Sequence, residues 1–255
     1  MEVLVCVKRV PAPGAKVPLT EDAQDIDTRH LGFTIGPHEE CAVEEAVRLV
    51  EAHGGHVTVL AAGPPEVAEQ LRYALAMGAD RGVLVDTGAA ELDPEATAAA
   101  VVHAIRTLDA EPFDLVLFGN ESADAGHYQV GIRVACELGL PIVGGIKGID
   151  VDGAAGDRLR LRRDVATGVE VYEVPLPTAA AVKEGLNLPR YPTMPGRLKA
   201  RKAQLLTIPF EPAAGGLRKV RLRQPHDDRE AAIVLGHGAA AAPAVVDVLE
   251  ELGAV

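Results

Sequence analysis

The sequence predicts an open α/β fold built on a mostly parallel sheet. Short, nearly continuous apolar runs have the character of strands covered on both faces, at Glu2–Lys8, Val57–Ala62, Gly82–Val85 and Asp114–Phe118. Amphipathic segments separate these runs. The repeated order of strand and helix favours parallel strands joined by right-handed crossovers.

The helices are expected between these strands, at Cys41–Glu51, from Pro64 to Gly78, from Asp93 or Pro94 to Leu108, and at Gln129–Leu138. In the first helix, Glu44, Glu45 and Arg48 lie opposite the apolar side. Together with Glu39 and Glu40, these glutamates are interpreted as charged first turns favoured by the helix dipole, and not as a catalytic carboxylate pair.

The pattern changes after Pro141. Short, twisted strands are expected at Leu159–Arg163, Val169–Tyr172 and Ala179–Val182, followed by a proline-rich loop, Asn187–Gly196, and a basic stretch, residues 197–222. Beyond Phe210 there is little periodicity until an amphipathic helix at Pro243–Leu252. Because this tail has little core of its own, we expect it to pack on another surface.

Composition narrows the functional class. The 255 residues carry a net charge of −12, so nothing draws the chain generally to nucleic acid or anionic lipid. Three cysteines without CxxC spacing fit a reducing compartment, and Cys41 and Cys136 are predicted to be small core residues. No run reaches the roughly 18 apolar residues of a membrane span. We therefore expect a soluble, cytoplasmic protein without membrane insertion.

The best candidate for a binding site is the loop Gly119–Gly131, which follows a buried strand and opens a helix. Ligands of parallel α/β sheets bind at such a position, and the free N–H groups of a helix start suit a phosphate. Ala62–Pro65 and Ile35–Glu40 are placed similarly. There is no GxGxxG and no Walker lysine, and from the segment alone an ordinary loop and a nucleotide site are equally compatible.

Enzyme signatures are absent from the sequence. It contains neither GxSxG nor HxxxH, and its eight histidines are scattered. We therefore predict no catalytic residue and no metal site.

Four stretches, taken together, resemble the electron-transfer flavoprotein beta-subunit family. They are Val5–Val10 (VCVKRV), Cys41–Leu49 (CAVEEAVRL), Ala74–Gly82 (ALAMGADRG) and Leu186–Pro195 (LNLPRYPTMP), the last leading into Lys199–Lys202. The resemblance covers nearly the whole chain, from Val3 to about Leu252. The order and spacing of these stretches are more specific than any one of them.

The resemblance implies a Rossmann-like, adenine-nucleotide-hydrolase-like fold that buries a structural AMP, and an alpha subunit that holds a redox FAD. It implies an electron carrier, not an enzyme, which takes electrons from acyl-CoA and related flavin dehydrogenases of fatty-acid β-oxidation and passes them to a membrane quinone oxidoreductase. It divides the chain into an α/β nucleotide-binding domain, residues 1–206, and a C-terminal arm on the alpha subunit, residues 207–255.

The AMP-binding positions that the resemblance implies lie in four segments. They are Cys6; Gly36, Pro37, His38 and Glu39; Ala62; and Gly119, Asn120, Glu121, Ser122, Ala123, Asp124, Ala125, Gly126, His127, Tyr128, Gln129 and Val130. Two positions depart from the family. Val130 replaces a frequent Thr, so phosphate recognition would rest on backbone N–H groups, and Pro13 replaces a Tyr that some relatives place near the flavin.

The resemblance also implies a segment that docks partner dehydrogenases, with Met194 as its apolar anchor. It comprises Tyr191, Pro192, Thr193, Met194, Pro195, Gly196, Arg197, Leu198, Lys199 and Ala200. A proline-stiffened segment loses little entropy on binding, and methionine adapts to differently shaped pockets. Asp164 falls near an acidic residue that helps the family's flavin domain to switch between docked states.

Two other readings stay open. A nucleotide-binding stress or sensor module of the same superfamily would explain the sheet and its pocket, but not the proline-rich segment or the long tail. A flavin-bifurcating relative would carry a second FAD in place of AMP. The nucleotides released on denaturation distinguish the three.

Overall fold

The computed structural model describes residues 1–12, 17–88, 92–108, 112–153, 156–213, 216–224 and 233–254. Pro13 lies outside the described residues. The strands are β1 (Glu2–Cys6), β2 (Val10–Pro11), β3 (Phe33–Thr34), β4 (His56–Gly63), β5 (Arg81–Asp86), β6 (Leu115–Gly119), β7 (Ile142–Asp152), β8 (Arg158–Val165), β9 (Gly168–Pro175), β10 (Thr178–Val182) and β11 (Leu206–Pro209). The helices are α1 (Pro37–His53), α2 (Ala68–Met77), α3 (Pro94–Thr107), α4 (Val130–Leu138), α5 (Met194–Lys202) and α6 (Ala242–Glu251).

The main sheet has nine strands in the order β11-β5-β4-β1-β6-β10-β7-β8-β9. All pairs from β11 to β7 are parallel, and β8 and β9 add an antiparallel edge. The predicted α/β class with a mostly parallel sheet is confirmed. The chain proceeds outward from β1 to β4 and β5, then returns to place β6 on the other side of β1. Between β1 and β6 lies the topological switch point, where such sheets bind ligands.

An aliphatic core fills both faces of the sheet. Val3 and Val5 of β1 pack on the face covered by α1 and α2, whereas Leu4 packs on the face covered by α3 and α4. This alternation follows from the two-residue period of a strand. Burial on both faces explains why the strands read as continuous apolar runs.

The helix boundaries follow local signals closely. Asp93 caps α3 by accepting a hydrogen bond from the Ala96 N–H at 2.8 Å, and Pro94 occupies the first helical position. Gly78 ends α2, and Gly139, in the left-handed region at φ 68°, ends α4. The fourth helix begins at Val130, one residue later than predicted, because Gln129 is its N-cap residue.

One prediction about side-chain burial is wrong, and the acidic side of α1 is more buried than its sequence pattern suggests. Cys136 is exposed, because the inward stripe of α4 runs through Val130, Val134 and Leu138, and Cys136 lies on the opposite side. Glu44 is buried, although it lies opposite the apolar side of α1, because the segment 187–190 covers it. Glu45 is buried for the same reason.

The C-terminal part begins within the sheet. The proposed boundary after residue 206 falls inside β11, which pairs with β5 at the sheet edge. Farther on, the Leu222 N–H donates to the Ala23 carbonyl at 2.8 Å, and Gln24 Nε2 donates to the Val220 carbonyl at 3.0 Å. The final helix α6 has no buried residue. Across the described ranges, no helix has both the length and the apolar character needed to cross a membrane.

Candidate functional site

A cavity of about 540 Å³ opens at the carboxyl ends of the parallel strands. It lies over the switch point, where β1 ends at Cys6 and β6 ends at Gly119. The first turn of α1 borders it through Glu39, and the first turn of α4 borders it from the other face. Parallel α/β sheets bind their ligands at this position.

Most of the predicted AMP-binding positions meet at this cavity. Those that line it are Cys6, Glu39, Ala62, Gly119, Asn120, Glu121, Ser122, Asp124, Ala125, His127, Tyr128, Gln129 and Val130. Five predicted positions are not among the lining residues: Gly36, Pro37, His38, Ala123 and Gly126. Gly36 still contributes, because a Cβ there would overlap the Glu39 carboxylate.

The sequence reasoning missed several lining residues that follow or flank a strand. Lys8 and Arg9 come after β1, and Thr87 comes after β5. Gly63, which lies within the predicted loop Ala62–Pro65, also lines the cavity and ends β4 at φ 152°, close to Val67. Parallel strands end at the same edge of a sheet, so the last residue of each predicted strand and the two residues after it are the signal that could find these positions. Lys8 ends the predicted strand Glu2–Lys8, and Thr87 lies two residues after the predicted strand Gly82–Val85.

Glu39 is the most unusual side chain of the site. It is only 4% exposed, and its Oε2 has no hydrogen-bond partner. Burial raises the pKa of Glu39 to about 7, and the Asp124 carboxylate acts in the same direction, whereas a hydrogen bond from the Glu39 backbone N–H and the charge of Lys8 act against it. A Cβ on Gly119 would lie 2.9 Å from Glu39 Cδ, so the space for this carboxyl depends on glycine.

Further polar atoms at the cavity are buried without a protein partner. Asn120 Oδ1 accepts from the Gly145 N–H at 2.7 Å, but its Nδ2 has no acceptor. Thr87 Oγ1 and Arg9 Nε are also buried without a hydrogen-bond partner. The Arg9 guanidinium lies 3.3 Å from the centre of the Phe33 ring. Buried polar groups normally have partners, so this concentration at one cavity indicates a polar ligand.

The start of α4 offers a site for an anion. Gln129 makes no side-chain cap, the first turn holds no acid, and the first helical residues Val130, Gly131 and Ile132 all line the cavity. Their N–H groups precede the first donor that an α-helix can satisfy internally. These donors and the positive end of the helix dipole favour a phosphate.

Lys8 and Asp124 form an ion pair at the cavity rim, with Nζ 2.7 Å from the carboxylate. Burial acts to raise the pKa of Asp124, but hydrogen bonds from Lys8, Ser122 and the Ala125 N–H outweigh it and the net pKa is lowered. Asp124 therefore stays ionised and holds the loop that leads to α4.

Cys6 borders the cavity as a neutral group. Burial raises the pKa of its thiol strongly, which disfavours a reactive thiolate. Among the described residues, no group of three or more His, Cys, Asp or Glu could hold a metal ion.

The predicted docking segment, residues 191–200, forms a second feature away from the cavity. It was expected as a loop, but from Met194 onward it is helix α5, capped by Thr193 Oγ1, which accepts from the Gly196 N–H at 3.2 Å. Met194 is 70% exposed and Tyr191 is 79% exposed, whereas Ala200 is buried. The backbone of Gly196 approaches α2 closely, since a Cβ there would lie 2.8 Å from the Ala76 carbonyl oxygen.

Charged and polar contacts hold the segment before α5 on α1. Arg190 donates from Nε to Glu44 at 2.8 Å and from Nη1 to Glu51 at 2.7 Å. Asn187 Nδ2 donates to the Cys41 carbonyl at 3.0 Å and to Glu45 at 2.8 Å. The exposed apolar side chains of the docking segment therefore project from an anchored base.

Asp164 lies at the end of β8, 61% exposed, with its carboxylate 3.7 Å from Lys147 Nζ. It does not border the cavity. An exposed, weakly paired carboxylate is free to exchange partners at little cost.

The fold and this cavity define the class of the protein: an open α/β protein with a cavity at the switch point of its sheet. The profile of the family described as "Electron transfer flavoprotein domain" matches residues 25–213, most of the chain. The chain therefore belongs to the electron transfer flavoprotein family, and its role is in electron transfer.

Its similarity extends to proteins named electron transfer flavoprotein subunit beta. It is 38% identical to that of Syntrophomonas wolfei over 225 residues, 87% of this chain and 84% of the relative. The Bacillus subtilis protein is 37% identical over 175 residues, 68% of this chain and 66% of the relative. The Homo sapiens protein is 33% identical over 209 residues, 82% and 81% of the two chains.

Proposed function

We propose that this chain is the beta subunit of a heterodimeric, cytoplasmic electron-transfer flavoprotein and that it binds a structural AMP. Its alpha subunit carries FAD, accepts electrons from acyl-CoA and related flavin dehydrogenases, and delivers them to a membrane quinone oxidoreductase. One observation carries the AMP assignment. The cavity at the switch point combines buried polar atoms that lack partners with an uncapped helix start.

In this proposal, AMP holds several loops of the folded chain together. Its phosphate is held by backbone N–H groups at Val130, Gly131 and Ile132, since Val130 brings no hydroxyl. Lys8 and Arg9 supply positive charge at the same cavity. A ligand that bridges loops after β1, β4 and β6 stabilises the folded chain by mass action. The Ser122 hydroxyl donates to Asp124, but the lowered pKa of Asp124 makes that carboxylate a weak base, so we propose that the nucleotide is retained and not turned over.

The C-terminal arm supplies the contact with the alpha subunit. Its described part exposes many apolar side chains: Leu217, Val220, Ile233, Val234, Leu235, Val245, Val246, Leu249 and Leu252. Apolar surface on this scale favours a permanent partner. We propose that the alpha subunit covers it.

The docking segment supplies the contact with dehydrogenases. Met194 and Tyr191 are exposed apolar anchors, and Arg197 stacks on the Tyr191 ring at 5.0 Å. A rigid apolar anchor with a basic rim fits a partner pocket that is apolar inside and acidic at its edge. Asp164 acts, in the same proposal, as an exchangeable partner for the moving flavin domain.

Cofactor content tests the proposal. The chain is co-expressed with its alpha subunit, purified and denatured, and the released nucleotides are quantified by chromatography. One AMP and one FAD per dimer are expected. Two FAD and no AMP would establish the bifurcating alternative, and a nucleotide without flavin would favour the sensor-module alternative.

Dependence on nucleotide is the second test. Stripping AMP should lower the melting temperature and leave the flavin potential nearly unchanged. Turnover of AMP or ATP by the purified protein would contradict a structural role.

A further inference from the structure

The cavity extends along the edge of the sheet at the switch point. Its lining includes the apolar side chains of Leu60, Val67 and Val101, which suit a flat base. The N–H groups at the start of α4 suit a phosphate. Glu39 lies against Gly119, where β6 ends. Its carboxyl therefore borders the space in which a bound nucleotide lies.

One carboxyl oxygen of Glu39, Oε2, is buried without a donor. The neighbouring cation, Lys8, is hydrogen-bonded to Asp124 at 2.7 Å, and the remaining charged neighbour, Glu40, lies on the same helix and repels the Glu39 carboxylate. A buried carboxylate oxygen without a donor is costly. The sugar of a nucleotide brings hydroxyl donors, and an acidic side chain is a common partner of a ribose hydroxyl in α/β nucleotide sites.

We propose that Glu39 recognises the ribose of the bound nucleotide by accepting a hydrogen bond from a sugar hydroxyl, so that the site selects ribonucleotides over deoxyribonucleotides. This inference rests on the proposed nucleotide function and names the chemistry that Glu39 adds to it. Gly36 and Gly119 keep the carboxyl accessible, because any side chain at either position would collide with it.

Binding of the nucleotide should be coupled to the release of a proton from Glu39. The pKa of Glu39 is about 7 in the free site, so about half of the carboxyls are protonated at pH 7. A hydroxyl donor stabilises the ionised form, so binding releases about half a proton at pH 7. Affinity should rise roughly ten-fold between pH 6 and pH 8, because the ionised fraction rises by that factor.

The test uses the nucleotide-stripped full-length protein and titration calorimetry with AMP, 2′-deoxy-AMP and 3′-deoxy-AMP, in two buffers of different ionisation enthalpy. The parent should prefer AMP to at least one analogue by roughly ten-fold or more, as for a hydrogen bond to a charged acceptor. Glu39→Ala should bind all three within about two-fold. The matched control, Glu40→Gln in the same helical turn, should keep the preference.

Glu39→Gln separates the effect of protonation from any effect on folding, because glutamine keeps the shape of the side chain and cannot titrate. It should abolish the proton release and leave only the pH dependence that the phosphate of AMP contributes. Equal binding of AMP and both analogues by the parent, or uptake of a proton on binding, would overturn the role of Glu39 alone. Failure of AMP to bind the parent at any pH would overturn the proposed nucleotide function as well.

Discussion

Arg190 links the docking segment to α1, and its removal should be costly. The Glu44 side chain is only 6% exposed and receives three hydrogen bonds from Arg190, including one from the backbone N–H. Breaking a buried ion pair from one side costs about 3–5 kcal/mol. Because the Arg190 side chain is 35% exposed, solvent screening reduces this figure, and we expect about 2 kcal/mol for Arg190→Ala.

The corresponding fall in melting temperature is about 4–8 °C for a chain of this size. Circular dichroism of the full-length protein at pH 7, at matched concentration and nucleotide content, measures it. Arg48→Ala is the matched control, because Arg48 also lies near Glu44, at 3.7 Å, but is 56% exposed. An exposed pair of this kind contributes at most about 1 kcal/mol.

A second variant identifies the cause. If the penalty comes from an uncompensated buried carboxylate, Glu44→Gln should recover part of the stability in the Arg190→Ala background. Equal, small decreases in melting temperature for Arg190→Ala and Arg48→Ala would refute the reasoning. So would a double variant that is less stable than Arg190→Ala alone.

The other predictions concern docking, pH and flavin. Met194→Ala should weaken electron transfer from a partner dehydrogenase roughly thirty-fold, equivalent to about 2 kcal/mol, and leave the melting temperature and the reduction by dithionite unchanged. The control Val169→Ala, at another exposed apolar residue, should not weaken this transfer. A fall of several degrees in the melting temperature with normal transfer would instead mark Met194 as structural. Loss of Arg197 and Lys199 should slow association and flatten its salt dependence, measured by stopped-flow. In nucleotide-free protein, the folded pKa of Glu39, about 7, exceeds its ordinary 4.5, so stability should fall as pH rises from about 4.5 through 7. Glu39→Gln should remove about 3 kcal/mol of that fall in urea titrations at pH 5 and pH 8, and parallel pH profiles would contradict it. Finally, the chain purified alone should bind no FAD, and a stoichiometric yellow complex would contradict this.

Local patterns were sufficient to predict most strands of the sheet and several helix ends. Apolar runs placed β1, β4, β5 and β6, because strands buried on both faces must be apolar throughout. Asp93 and Pro94 marked the start of α3, since capping depends only on near neighbours in sequence. The position of the candidate site followed from the same reasoning, as the loop after β6 opens α4 at the sheet edge.

Local sequence patterns could not predict contacts between segments that are distant in the chain. The sequence predicts a proline-rich loop at Asn187–Gly196, but not that Glu44, 146 residues earlier in the chain, holds its Arg190. Met194 begins a helix because Thr193 caps it and Pro195 fits its first turn, a signal that the proline content obscured. Helix periodicity suggests which side of α1 is apolar, but not which segment later covers its acidic side.

The glutamates of α1 illustrate the difference between structural and binding charges. All were interpreted as one class, the charged turns of a helix, and dipole arguments treat them alike. Glu44 and Glu45 are buried against donors from the segment 187–190, so their charge is used within the fold. Glu39 is buried at the cavity with an oxygen that no protein group satisfies. Because burial without a partner destabilises the free protein, such a residue is best explained by a partner that arrives from outside.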